Sequence, residues 1–144
     1  VVIAIIAILV SIIVPVVGNS TVKASAATNA ANLRSVAAEV SIKHLEDPVT
    51  IPAGTYEAAA KGTFTQTKDG AGNAVSGTPA TIDVTAPAAK SVAAKWVGEG
   101  TGTDVAITNT AKLIVVIDAE GVTATYDSVT LETFANIAED GKNN

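Results

Sequence analysis

Residues 1–17 read VVIAIIAILVSIIVPVV, and the reading of this stretch decides the fold. Ser11 is its single polar side chain, and no charge appears before Lys23. Such a run stands at the lower edge of what crosses a bilayer as a helix, roughly 17–25 residues. It opens at Val1 without a charged flank, so the native apolar run is expected to extend upstream. Three readings fit. A secretory signal would carry a small-residue cleavage site, and Ala24-Ser25-Ala26 has that form. A plain membrane anchor would tether whatever follows it. The third is a spine that packs against other copies of itself.

Working outward from Val17, the periodicity carries the helix well past the apolar run. Val22, Ala26, Leu33, Val36, Ala37 and Val40 fall on one face at a spacing of about 3.6 residues. Lys23, Thr28, Asn32, Ser35 and Glu39 fill the other faces. The pattern stops at Glu46-Asp47-Pro48, where proline disfavours a helical residue before it. A helix from Val1 to Glu46 would be roughly 70 Å long. A compact globule of this chain length has a radius of gyration of only about 14–15 Å. Such a helix protrudes, and its apolar half needs lipid or further copies for cover.

Inside that helix Pro15 lacks the N–H for the Ser11 carbonyl, at a cost of about 3 kcal/mol. Gly18 adds about 1 kcal/mol relative to alanine. Asn19, Ser20 and Thr21 can bond backbone in non-helical ways or cap a restarted helix. The expectation is a break at Val14, Pro15 and Gly18, as a kink or a melted stretch reaching Asn19.

The apolar segment resembles the N-terminal spine of bacterial type IV pilins and type II secretion pseudopilins. Mature chains of that family open with a Phe-Thr-Leu-Ile-Glu-Leu-type motif and run into a Val-Ile-Ala-Ile-Ile-Ala-Ile-Leu block. Val2-Ile3-Ala4-Ile5-Ile6-Ala7-Ile8-Leu9 matches the block residue for residue, and Pro15 falls at the family's helix-bending proline. The motif covers about residues 1–17, and beyond it only architecture can be compared. The family's acidic residue and processed terminus would lie upstream of Val1. The resemblance implies a polymerisation core of Val1, Val2, Ile3, Ile5, Ile6, Ile8, Leu9, Ile12 and Ile13. It also implies a head-packing face of Val22, Ala26, Leu33, Val36 and Val40.

The expected fold class is α+β, a long spine helix packed on a small antiparallel β-sheet head. Residues 1–21 form the membrane or filament-core half and residues 22–144 the head. Within the head, 22–47 is the amphipathic half of the helix and 48–90 a loop region rich in proline and glycine. Residues 91–134 are expected to form the sheet and 135–144 a tail. Weak strands flank a turn at Lys68–Gly72, and Thr81–Thr85 is another. Clearer strands are Ser91–Val97, Asp104–Thr108, Lys112–Asp118 and Val122–Asp127, with Val129–Phe134 a fifth candidate. Leu113–Ile117 is apolar on both faces, as a covered central strand requires. In many family members a C-terminal disulfide pins the last loop. With no cysteine, the Ala135–Asn144 tail must be held otherwise or be mobile.

The chain has 144 residues, 48 % hydrophobic but 3 % aromatic, with a formal net charge of −5. Zero cysteine excludes disulfides, thiolate metal sites and thiol catalysis. The acidic balance argues against nucleic acid held by bulk charge, and Lys61, Lys68, Lys90 and Lys95 are scattered cations. A mean hydropathy of +0.40 averages an uncharged spine with a polar head. His44 is the single histidine, suited to the helix C-terminus as a cation rather than to catalysis. Asp69 and Asn73 miss the EF-hand spacing and read as turn chemistry. Gly98-Glu99-Gly100-Thr101-Gly102 lacks dinucleotide-loop spacing and reads as a turn between strands. Asn19-Ser20-Thr21 is formally a glycosylation triplet, and the threonine-rich head offers O-linked positions. The aromatics Tyr56, Phe64, Trp96, Tyr126 and Phe134 all lie outside the helix, so a core of helices would contain no stacked rings.

The resulting expectation is a non-enzymatic subunit without cofactor or metal that polymerises into an extracellular type IV pilus. Its partners are identical subunits, the inner membrane before assembly and the pilus assembly machinery, with no specific nucleic acid. Adhesion, motility or uptake would follow from the filament. Within the family a pseudopilin is the other role. Outside it, the alternative is a membrane-anchored or secreted binding module.

Overall fold

A computed structural model describes residues 2–58, 62–96, 103–140 and 142–143, with side chains from Gly18 onward except at 95, 96, 103, 142 and 143. Helix α1 runs Val2–Glu46, followed by strands β1 (Gly54–Ala58), β2 (Thr63–Asp69) and β3 (Thr81–Asp83). Next come β4 (Val92–Trp96), β5 (Thr103–Ile107), β6 (Leu113–Ile117), β7 (Val122–Tyr126) and β8 (Val129–Thr130). Helix α2 (Leu131–Asp140) and the two-residue β9 (Lys142–Asn143) close the chain. The class is α+β. A long N-terminal helix accompanies a six-stranded antiparallel sheet in the order β3-β2-β1-β6-β7-β8 and a smaller sheet, β5-β4-β9.

Helix α1 is continuous through residues 14–19, so of the kink or melted stretch expected at Val14, Pro15 and Gly18 the melted form is not adopted. The magnitudes account for this. A proline inside a helix costs about 3 kcal/mol. Ending the helix and nucleating another costs about 4 kcal/mol at a nucleation parameter of about 10⁻³. Carrying the helix through is the cheaper course. At the far end Asp47 N–H still reaches the Lys43 carbonyl at 3.0 Å, and Pro48 follows.

The head differs from the expectation in three places. Residues 48–90, expected to be mostly loop with weak strands, hold β2 and β3 at two of those candidates and in addition β1, which lies between β2 and β6 inside the main sheet. Residues 91–134 are not one sheet, because β4 and β5 leave to form the second. Val129–Phe134 is not a strand, because β8 ends at Thr130 and α2 begins at Leu131. The Lys68–Gly72 turn is a tight return: Asp69 N–H donates to the Asn73 carbonyl and Lys68 bridges Ala74.

Packing explains the strand that was missed. Gly-Thr-Tyr-Glu-Ala carries one large apolar residue, Tyr56, which is fully buried. At Gly54, with φ of 153°, a β-carbon would sit 2.6 Å from Gln66 Nε2 and closer still to the Lys68 carbonyl oxygen. That position admits only glycine, a residue that weakens the sequence signal for a strand.

The core lies between α1 and the two sheets. Val22, Ala26, Ala30, Leu33, Val36 and Val40 line the buried face of α1 and meet Tyr56, Phe64, Val115, Tyr126 and Phe134 in one cluster. Helix α2 packs on α1 and β4, burying Phe134 and Ile137. The Phe134 ring meets Tyr126 edge to face, centroids 6.2 Å apart at 82°. Lys23 Nζ donates to the Glu139 carbonyl and so joins α1 to the last turn of α2. Of the tail expected to be held without a disulfide or to be mobile, residues 135–140 belong to a docked helix, held by packing and this hydrogen bond.

Candidate binding groove

Of the expected polymerisation core, Val1 lies outside the described residues. For Val2, Ile3, Ile5, Ile6, Ile8, Leu9, Ile12 and Ile13, and for Val14 and Pro15, the description is confined to helical backbone. Gly18 is half-buried, and Val22, Ala26, Leu33, Val36 and Val40 are buried in the head. Among residues with described side chains no helix is long and apolar enough to cross a membrane. The expectations for Lys61 and for Gly98–Gly102 fall outside the described residues, as does the side chain of Trp96.

Two polar residues on α1 organise the head. Asn29 is fully buried, and its Nδ2 donates to the Lys90 carbonyl at 2.9 Å. Its Oδ1 accepts from Lys90 N–H at 2.7 Å. A single amide thus pairs both backbone groups of Lys90, as a neighbouring strand would. His44 is half-buried and its Nδ1 lies 2.6 Å from the Ile51 carbonyl, which requires the ring N–H as donor. This contact folds the 47–53 connection back on the helix end.

The Asp69–Asn73 turn is closed by its own backbone. Asp69 Oδ1 accepts from Ala71 N–H at 3.0 Å and from Asn73 N–H at 2.8 Å. The Asn73 backbone bond, ahead of all other causes, holds this carboxyl below its usual range. An oxygen already accepting two N–H groups belongs to a turn. Among the described residues no group of three His, Asp or Glu is placed to hold a metal ion.

A groove of about 580 Å³ lies beside β1 and β2 of the head. Strand alternation builds its floor. Tyr56, Phe64 and Gln66 turn inward, so Glu57, Thr65 and Thr67 face the other way. Glu57 pairs with Thr65 on one side and Ile114 on the other. The walls are Ala86, Pro87 and Ala88 from the β3–β4 connection, with Asn109, Thr110 and Ala111 from the β5–β6 connection. Pro87 is held because Tyr126 Oη donates to its carbonyl at 2.8 Å.

Across the rim Lys112 Nζ donates to Glu57 Oε2 at 3.3 Å, with side chains 66 % and 35 % exposed. A pair so exposed is worth about 0–1 kcal/mol. Lys112 is positioned by its backbone: its N–H donates to Asp127 Oδ1 at 3.1 Å, and Asp127 N–H returns to its carbonyl at 2.7 Å. Asp127 adopts φ of 51°, a conformation aspartate tolerates better than most residues. The groove is mainly apolar with one charge pair at its mouth.

Sequence reasoning did not find this groove. Glu57 and Lys112 are far apart in the chain, and only the β1–β6 pairing brings them together. No family model, curated protein or solved structure matches the chain.

Proposed function

We propose that this chain is the structural subunit of a surface filament of the type IV pilin kind. The observation that supports this reading is the division of α1. Its residues from Val22 to Val40 are committed to the head core, while the same helix continues back to Val2 through a sequence without charge. At 1.5 Å per residue, α1 is about 67 Å long, and the portion before Val22 about 30 Å. The second figure equals the thickness of a bilayer's hydrocarbon core, about 30 Å. One segment then serves in two settings, held in the cytoplasmic membrane before assembly and bundled with identical subunits afterwards. Ala4, Ala7 and Ser11 at three- and four-residue spacing favour close helix approach where no water drives association. Adhesion, motility and uptake are roles of the filament as a whole, with assembly machinery as a further partner. A pseudopilin is the second role within the same architecture.

The groove favours one reading of another class, a tethered non-enzymatic binding module whose apolar segment is only an anchor. Negative-stain imaging of the purified full chain separates the two. Long fibres of uniform width are expected for a filament subunit. Monodisperse particles in detergent, persisting after detergent removal into lipid, would leave the binding module.

A further inference from the structure

Val22 is buried, at 8 % exposure, and the next residue, Lys23, is the first charged side chain in the sequence. The head thus begins to cover α1 at the point where the charge-free run of that helix ends. Three further elements reach the same level. The last turn of α2 arrives there, because Lys23 Nζ donates to the Glu139 carbonyl. Strand β9 comes next in the chain and lies against α1. It pairs with the Trp96 end of β4, Ala94 opposite Asn143 and Lys95 opposite Lys142. Since Asn29 holds Lys90, β4 descends along α1 from the level of Asn29 toward that of Lys23.

We propose that this underside of the head, made of Lys23, the last turn of α2 and the adjoining end of the smaller sheet, seats on the zwitterionic headgroup layer of a phospholipid bilayer. The inference deepens the membrane stage of the proposed function and rests on it. Gly18 to Lys23 spans about 7.5 Å of helix at 1.5 Å per residue. The polar layer on each side of a bilayer is about 5–8 Å thick, from roughly 30 Å of hydrocarbon within 40–45 Å overall. No bare length of α1 is left between the two. Helix α1 is also unbroken from Val2 through Lys23, and its next turns are locked in the head core. A head so fixed has no hinge on which to lift away once residues 2–17 are in lipid.

The charges on this surface suit a headgroup that carries both signs. The Lys23 ammonium has three donors, of which the Glu139 carbonyl takes one, so donors remain for lipid phosphate. Glu139 and Asp140 are exposed and offer carboxylates to a lipid ammonium. A chain with a net charge of −5, all of it beyond the apolar run, is repelled by an anionic surface.

The native chain lacks cysteine, so a single label can be placed without background. Full-length Asp140→Cys, carrying a fluorophore and reconstituted in phosphatidylcholine vesicles, is expected to lose emission when lipid with a nitroxide on its headgroup is included. Glu46→Cys, exposed and about 35 Å farther along α1, is expected to keep its emission under the same conditions. Vesicle flotation reports separately whether the apolar segment is inserted. Protein that floats with undiminished emission at Asp140→Cys, or with equal losses at both labels, would overturn the seating and leave the membrane stage standing. Quenching confined to vesicles of anionic lipid would overturn the assignment to zwitterionic headgroups. Protein that fails to float would overturn the seating and the membrane stage together.

Discussion

Asn29 is the residue on which the head's internal register turns. It is the one fully buried polar side chain on α1 among the described residues, and it holds Lys90 by both backbone groups. Asn29→Leu preserves bulk but leaves that N–H and carbonyl without their partner. The expected loss is about 1–3 kcal/mol, or a few degrees to about 10 °C in Tm by calorimetry. Tyr56 makes the second prediction at this scale. Its hydroxyl donates to the Pro52 carbonyl at 2.7 Å, and burial pushes its pKa up to about 12 from 10.0. The unfolded chain therefore releases this proton first. Stability is full below pH 10 and falls as pH rises from 10 toward 12. A tyrosinate absorbance titration should show the folded protein ionising late, and Tyr56→Phe should flatten the alkaline loss of stability. Tyr126 is raised in the same direction by burial, with Asn32 partly opposing.

Among the elements, α2 shows what was legible and what was not. The long helix and an antiparallel sheet followed from a charge-free run, a stripe at helical spacing and the alternation in Val122–Tyr126. Helix α2 carried its own signals, yet they overlapped a strand candidate. Leu131, Phe134, Ile137 and Ala138 recur at helical spacing, and Thr130 Oγ1 accepts from Thr133 N–H at 3.3 Å as an N-cap does. Val129, Thr130 and Thr133 favour strands intrinsically, and the docking site on α1 decided the outcome. Strand β1 failed to register for the opposite reason, since its identity resides in pairing with β2 and β6 and hardly in its own residues. The groove could not be read locally at all, because two separate connections wall it over a floor from β1 and β2. Phe134→Ala removes the ring that meets Tyr126 and should cost about 3–5 kcal/mol. Against a total of about 5–15 kcal/mol for a typical domain, thermal melts should show a severely weakened head. Phe134→Leu should lose less than about 1.5 kcal/mol.

At the scale of the whole molecule, the chain is two materials on one helix. The head has its own core from Val22 onward, so stability of the head and the proposed assembly into a filament should separate under mutation. Ile8→Lys places a charge in the apolar run, at a cost of about 2.5–3.5 kcal/mol per copy at a bilayer centre. It should abolish fibres in negative stain and leave the Tm of the head within about 1 °C of the parent, a change smaller than 0.5 kcal/mol produces. Joint loss of fibres and head stability would contradict this separation. The fastening of the C-terminal helix carries a different consequence. Lys23, Phe134 and Ile137 hold it by a hydrogen bond and by packing, and the chain has no thiol. Maturation of this head is thus indifferent to redox potential. It needs no thiol oxidant and no disulfide exchange, and strong reductant should leave its melting curve unmoved.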